Sequence, residues 1–342
     1  MAPDGKVTIS AMRRPTIRDI ARLAQVSPGA VSLALNGKPG VSDATRQRVV
    51  DIAEAMGWTA STAARALSRS RADAVGLVLA RPRASIDAER FYFQFICGAV
   101  DALNARQQSL VLQIVDTVEK ELAIYRSWWV ERRVDSVILV DPLVDDPRPA
   151  HLTTLSLPFV TVGWEFAGGS AVLVDDAGIM EEAVEHLAAQ GCRRIGYVCG
   201  IPTLHHSQVR QRALNIAGAR MGLDIRLSNP TDYTQESGAR ELELLLSAPH
   251  RPDAVIFDNE SLLLGGLPVL AELGISTPDD LVVVSLEDSP VGQLMRPQIT
   301  AFDRDPSVLG DAAIALLVDA DAPPSLTLEP PHLIVRGSSR TP

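Results

Sequence analysis

Between Thr16 and Trp58 apolar residues recur at helical spacing in three short runs, each preceded by a capping side chain. In the first run Ile17, Ile20, Ala21 and Leu23–Ala24 share one face. Thr16 stands at the cap position, and Asp19 three residues on completes a capping box. After a turn at Val26, Ser27 caps a second helix with Pro28 at its first position and Val31, Ala34 and Leu35 inward. Asn36–Gly37 stops it. Ser42 caps a third helix over Asp43–Met56, with Thr45, Val49, Ile52, Ala53 and Met56 inward and Gly57 ending it. Two short helices about a tight turn, buried by a third, fit a helix-turn-helix. The periodicity alone fits a plain three-helix bundle as well.

From Ala72 the pattern alternates strand and helix. Strand-like runs fall at Val75–Ala80, Ser109–Val115, Asp135–Val140 and Phe159–Val162, with helical patterns between. A second set follows at Ala171–Val174, Arg194–Val198, Asp253–Phe257 and Leu281–Leu286. Such alternation predicts parallel sheets covered on both faces, and two sets predict two lobes. The expected fold class is an N-terminal all-α helix-turn-helix domain followed by a two-lobed α/β core. Residues 1–14 carry no pattern and are expected to be a disordered lead-in.

Charge changes this picture. The chain has a formal net charge of −10. Residues 1–71, however, hold 11 Lys/Arg against 5 Asp/Glu, leaving 21 against 37 for the remainder. A head near +6 on a body near −16 points to one DNA-facing module, or else to a merely solvated basic surface. The three cysteines, Cys97, Cys192 and Cys199, form no CxxC pair and lie in apolar or strand-like contexts, so free buried thiols are expected. His205–His206 has no partners at zinc-site spacing, and no metal or cofactor is expected. Neither a signal-peptide stretch nor a membrane-span length of apolar residues occurs, which places the expected location in the cytoplasm.

The run TIRDIARLAQVSPGAVSLALNGKPGVSDATRQRVVDIAEAMGW resembles the DNA-binding domain of the lactose-repressor family. TASTAARALSRSRADAVGLVLA is similar to that family's hinge and first core strand. DDAGIMEEAVEHLAAQGCRRIGYVCG, PDAVIFDNESLLLGGLPVLAELGISTPDDLVVVSLEDS and the closing LIVRGSS continue the likeness in order. The resemblance implies a helix-turn-helix at 15–58 and a hinge helix at 59–71, with an effector-binding and dimerisation core over 72–342. It implies a first lobe of about 72–163 and 297–324, and a second of about 164–296 and 325–342.

The family's DNA contacts fall on Thr16, Arg18, Ser27, Pro28, Gly29, Ala30, Ser32, Leu33 and Asn36. The second helix of such a motif enters the major groove and reads base edges. Leu33 stands where an arginine is frequent; it fits either a contact to a thymine methyl group or a core leucine. Leu67, with Ala64 and Arg65, matches the hinge wedge that kinks the operator from the minor groove, although an incidental linker leucine fits too. Ala60 and Ser61 replace a proline and an asparagine common at the hinge cap.

For the effector the resemblance implies Phe91, Tyr92, Trp164, Arg210, Tyr233, Asn259 and Glu287. Aromatic faces and a pair of charged groups suit a sugar. Plain core is an alternative for Phe91–Tyr92, and a surface role for Arg210. Gly163 replaces a frequent acidic residue, and Glu287 a frequent aspartate. The expected partners are therefore near-palindromic double-stranded operator DNA, a small effector and a second copy of the chain. No heptad-bearing tail follows Arg336, which favours a dimer.

No enzyme motif competes. GxSxG, Walker A, GxGxxG after a strand and HExxH are all missing. The adjacent carboxylates Asp145–Asp146, Asp175–Asp176 and Asp279–Asp280 fit caps and turns. The expected function is a repressor released by an effector. A corepressor-dependent repressor and a solute-binding protein of the same core fold are the alternatives.

Overall fold

The computed structural model describes residues 15–58, 71–82, 85, 90–319 and 321–339. The chain divides into two compact units between Ser70 and Arg71.

The first unit contains α1 (Ile17–Ala24), α2 (Pro28–Leu35) and α3 (Asp43–Ala55). Thr16 and Asp19 close the capping box on α1, and Ser27 and Ser42 accept from Ala30 N and Thr45 N at the starts of α2 and α3. Each such cap contributes about 1 kcal/mol. Ile20, Ala21, Ala24, Val31, Ala34, Val49 and Ala53 form one small core between the three helices. The carboxyl end of α2 is tied down from α3: Arg46 donates to the carbonyls of Ala34 (3.0 Å) and Lys38 (2.9 Å).

The second unit holds two six-stranded sheets built on a common plan. The first is ordered β11-β5-β4-β3-β1-β2, with β1 (Ala74–Ala80), β2 (Ser109–Val115), β3 (Ser136–Leu139), β4 (Phe159–Val162), β5 (Ser170–Leu173) and β11 (Ser325–Thr327). The second is ordered β12-β10-β9-β8-β6-β7, with β6 (Arg194–Val198), β7 (Asp224–Leu227), β8 (Ala254–Phe257), β9 (Val282–Ser285), β10 (Thr300–Phe302) and β12 (Leu333–Ile334). Pairing is parallel except between β10 and β12.

Helices cover both faces of each sheet, as buried parallel strands require. In the first lobe α4 (Arg90–Ala105) and α12 (Pro306–Val318) lie on one face, α5 (Val118–Glu131) and α6 (Arg148–Leu155) on the other. In the second, α7 (Asp176–Ala189) and α8 (His205–Met221) face α9 (Gln235–Leu246) and α10 (Glu260–Glu272) across the sheet. α11 (Pro290–Leu294) is a short turn before β10. Gly98 and Gly310 let α4 and α12 touch backbone to backbone: a Cβ on Gly98 would sit 1.9 Å from Ser307 O.

Two expectations need correction. The run at Ala171–Val174 was expected in the second lobe, yet β5 pairs with β4 in the first sheet. Likewise β10 belongs to the second sheet and β11 to the first, the reverse of what cuts at 297 and 325 imply. The chain therefore crosses between lobes at 174–175, 303–305 and 328–332. A strand's own pattern of side chains sets its burial, not which sheet it joins. Second, Cys97 is an exposed thiol on α4; Cys192 and Cys199 are free and buried.

In the first lobe a buried cluster braces the turn after β3. Arg148 pairs with Glu121 (3.2 Å) and Asp146 (2.7 Å), and donates to the carbonyls of Val140 (3.1 Å) and Asp141 (2.8 Å). The Tyr125 hydroxyl donates to Glu121. Asp141, held by these bonds, adopts a left-handed conformation at φ 51°.

Candidate functional site

A cleft partly open to solvent lies between the lobes at the carboxyl ends of their parallel strands. That is where open α/β sheets present ligand sites. The first lobe contributes Arg81, Phe91, Asp141, Val162 and Gly163, and the second Asp176, His206, Arg210, Tyr233, Asn259 and Glu287. Arg304 enters from the crossing segment 303–305.

The strands and helix starts place these groups. Arg81 follows β1, Asp141 follows β3, and Glu287 follows β9. Asn259 caps α10, accepting from Leu262 N at 3.0 Å. Tyr233 holds φ 63°, a conformation costly for a bulky side chain, of order 1–3 kcal/mol. Its hydroxyl is enclosed: a Cβ on Gly200 would lie 1.9 Å from it, so that position admits no side chain.

Carboxylate and guanidinium groups interlock through the cleft floor. Arg210 is buried; its Nε and Nη2 donate to Asp176 Oδ1 (2.9 and 2.7 Å) and its Nη1 to Asp258 Oδ1 (2.8 Å). Arg304 Nη2 shares Asp176 Oδ1 at 3.0 Å. Tyr197 and Tyr233 both donate hydroxyl protons to Asp258. On the first lobe Arg81 Nε meets Asp141 Oδ2 at 3.0 Å, and the Tyr92 hydroxyl donates to the same oxygen.

Burial acts on Asp176, Asp258, Glu287 and His206. It works to raise Asp176, but Arg210 and Arg304 overcome it and hold the carboxyl far below its usual range. Burial also opposes ionisation of Asp258, where Arg210 wins and the acid is lowered. Glu287 goes the other way: burial raises it, and Arg304 and Arg210 offset that only in part. His206 is pushed down to about 4 by burial and by Arg210, so its ring is neutral at neutral pH. With the Tyr233 proton committed to Asp258, His206 Nε2 is placed to donate to the Tyr233 oxygen at 3.1 Å.

The lobes also touch directly. Ser85 Oγ donates to Asp232 O (2.7 Å), His205 N to Pro142 O (2.8 Å) and Val144 N to Thr203 O (3.1 Å). The Arg81 guanidinium lies 5.2 Å from the Tyr233 ring centroid.

Of the seven effector residues named from sequence, Phe91, Arg210, Tyr233, Asn259 and Glu287 line this cleft. Tyr92 does not; it is buried edge-on to Phe91 with its hydroxyl on Asp141. Trp164 is 43% exposed outside the lining and packs on His205, ring centroids 3.7 Å apart. Sequence reading missed Arg81, Asp141, Asp176, His206 and Arg304. Only Asp176 carried a local signal, as half of an acidic pair at a helix start. Asp175 does cap α7, accepting from Gly178 N at 2.8 Å, whereas its neighbour turns inward to Arg210.

In the head unit Thr16, Arg18, Ser27, Pro28, Gly29 and Asn36 are exposed, and Ala30, Ser32 and Leu33 are half-buried. Leu33 is outside the core cluster, packed over the Gly40 backbone. Asn36 Nδ2 donates to Ser32 O at 2.8 Å, which ties both polar groups to the helix end. Ala64, Arg65 and Leu67 lie outside the described residues. No helix among the described residues is long and apolar enough to cross a membrane, and no group of three His, Cys, Asp or Glu there is placed to hold a metal.

A capped three-helix head joined to a two-lobed core with a cleft at the strand ends defines a DNA-binding regulator carrying a small-molecule receptor. Comparison with known proteins gives the family. Residues 16–61 match the bacterial regulatory proteins of the lacI family, and residues 184–339 a periplasmic binding protein-like domain. The HTH-type transcriptional regulator CelR of Thermobifida fusca is 32% identical over 340 residues, covering 95% of this chain and 98% of that one. The ribose operon repressor of Escherichia coli (strain K12) is 26% identical over 333 residues, covering 95% and 99%. Among solved structures, a transcriptional regulator CelR–cellobiose complex matches with a TM-score of 0.70 at 29% identity, covering 95% and 100%. The lac repressor dimer bound to operator and the anti-inducer ONPF matches in fold, with a TM-score of 0.80 at 20% identity over 95% and 99%. This chain belongs to the lactose-repressor family of DNA-binding transcriptional regulators. Its relatives are named as regulators and repressors, not as enzymes.

Proposed function

We propose that the protein is a cytoplasmic homodimeric repressor that a sugar releases from a near-palindromic operator. The observation that carries the effector half is the composition of the cleft. Phe91 lines the cleft from the first lobe and Asn259 and Glu287 line it from the second, together with guanidinium and carboxylate groups. Aromatic faces stack on a pyranose, and closely spaced charged groups take hydroxyls in pairs. The cellobiose held by the similar CelR structure supports the same chemistry.

For the DNA half, α2 is the reading helix: Ser27, Pro28, Gly29, Ala30, Ser32, Leu33 and Asn36 face the major groove, with Thr16 and Arg18 on the backbone or the bases. Arg65 and Ala64 accompany Leu67 as it wedges into the minor groove at the operator centre. Sugar contacts both lobes and so favours one of their arrangements; it shifts the DNA equilibrium only by its differential affinity for the two states.

The test is fluorescence-anisotropy binding to palindromes from the protein's own promoter region, over a salt series and with a panel of mono- and disaccharides. Sequence-selective binding weakened by one sugar is the expected result, and Leu67→Ala lowers specific affinity without unfolding the core. Binding equal on all sequences and lost steeply with salt would reduce the head to a basic patch. Selective binding strengthened by a sugar would make the effector a corepressor.

A further inference from the structure

We infer that the effector of this cleft is an uncharged sugar, bearing neither a carboxylate nor a phosphate. The inference rests on the sugar reading above and narrows it.

The charges lining the cleft cancel within the protein. Three guanidinium groups reach it, and each already holds a carboxylate: Arg81 with Asp141 at 3.0 Å, Arg210 with Asp176 and Asp258 at 2.7 and 2.8 Å, and Arg304 with Asp176 at 3.0 Å. Glu287 adds a carboxylate that makes no ion pair within 4.0 Å among the described residues. An incoming anion would find no uncancelled cation there. To bind through the paired faces of Arg81 or Arg210 it would have to pull the guanidinium off its aspartate, stranding that charge.

Hydrogen-bonding capacity points the same way. Among the described residues, Arg304 and Glu287 keep hydrogen-bonding capacity in the cleft. Arg304 Nε is buried without a hydrogen-bond partner, and the Glu287 carboxylate receives only a long contact, from Glu260 N at 3.5 Å. The first is a donor and the second an acceptor. A sugar hydroxyl accepts from one group and donates to the other, so adjacent hydroxyls satisfy both. A carboxylate or phosphate only accepts: it serves Arg304 but sets like charge against Glu287. Glu287 also faces the amino end of α10, the position an anion would otherwise take.

Isothermal titration of the full-length chain with matched probes tests this: glucose, galactose and cellobiose against glucuronate, galacturonate, cellobionate and the hexose 6-phosphates. A neutral sugar is expected to bind at least about a hundredfold more tightly than its own acidic counterpart. Asp141→Asn removes the carboxylate 3.0 Å from Arg81 and should raise the acidic-to-neutral affinity ratio by roughly tenfold. Should that variant fold poorly, Glu287→Gln removes the opposing carboxylate and moves the same ratio the same way. An acidic sugar binding as tightly as its neutral partner, or a ratio unmoved in both variants, overturns the inference and leaves the sugar reading standing. Silence from every probe while operator binding persists overturns the sugar reading itself.

Discussion

In the first lobe Arg148 lies between Glu121 and Asp146; in the second Arg210 lies between Asp176 and Asp258. Both guanidinium groups are buried, both sit between two carboxylates, and in both clusters a tyrosine hydroxyl bonds to an acid. The surroundings differ. Arg148 spends its remaining donors on the carbonyls of Val140 and Asp141, and its cluster is sealed among α5, α6 and the sheet. Arg210 faces the cleft, where Arg304 and His206 join it. A buried ion pair adds little stability over well-packed apolar groups, but removing one partner is costly. What each cluster supplies is therefore position: one fixes the backbone that carries Asp141, the other fixes the floor a ligand rests on.

The largest expected effect follows from the sealed cluster. Arg148→Ala strands Glu121 and Asp146 and should cost about 3–5 kcal/mol in urea unfolding of the core. A loss under 1 kcal/mol would mean the cluster is not closed to water. Arg210→Ala strands Asp176 and Asp258 but opens the cleft floor beside them to water, so its cost should fall near the low end, about 3 kcal/mol. It should also abolish the sugar response while leaving operator binding measurable at low temperature. Equal losses for the two variants would erase the distinction drawn between them.

The smallest effect concerns acid. The second-lobe cluster contains a histidine, and the first does not. His206 titrates at about 4 when folded against 6.5 for an unperturbed ring. Between those values the unfolded chain binds a proton that the folded chain refuses, so stability falls as pH drops from 6.5 and levels off near 4. The loss is about 3 kcal/mol at most. Burial lowers His186 and His205 as well, and both add to the same window. Thermal melts at pH 7, 5.5 and 4.5 should show the decline, and His206→Gln should flatten it. A slope unchanged in that variant would place the acid sensitivity elsewhere.

Much of the head was legible because its determinants are local. Thr16, Ser27 and Ser42 announce helices within three residues of themselves, and the three-residue capping-box spacing finds Asp19 without any tertiary information. The longer strands were legible for the same reason. β7, β11 and β12 were not: two to four residues with at most partial burial leave no period to read, and β10, though buried, is only three residues long. The cleft was half legible. Phe91, Arg210, Tyr233, Asn259 and Glu287 came from resemblance, but the partners of Arg210 lie 34 and 48 residues away. Arg304 sits in the crossing segment 303–305, which shows only once β10 is placed in the second sheet. Nothing in the letters around Arg148 separates it from a surface arginine; its burial is set by α5, whose Glu121 is 27 residues earlier.

Three passes of the chain between the lobes have a consequence for how such proteins diversify. Neither lobe is a contiguous stretch of sequence, so no single recombination joint transfers one lobe intact; it would sever strands β10 or β11 from their sheets. The head, by contrast, is joined to the core at one place, between Ser70 and Arg71. Gene fusion can therefore exchange the DNA-reading module as a unit, whereas the two-lobed core must change residue by residue.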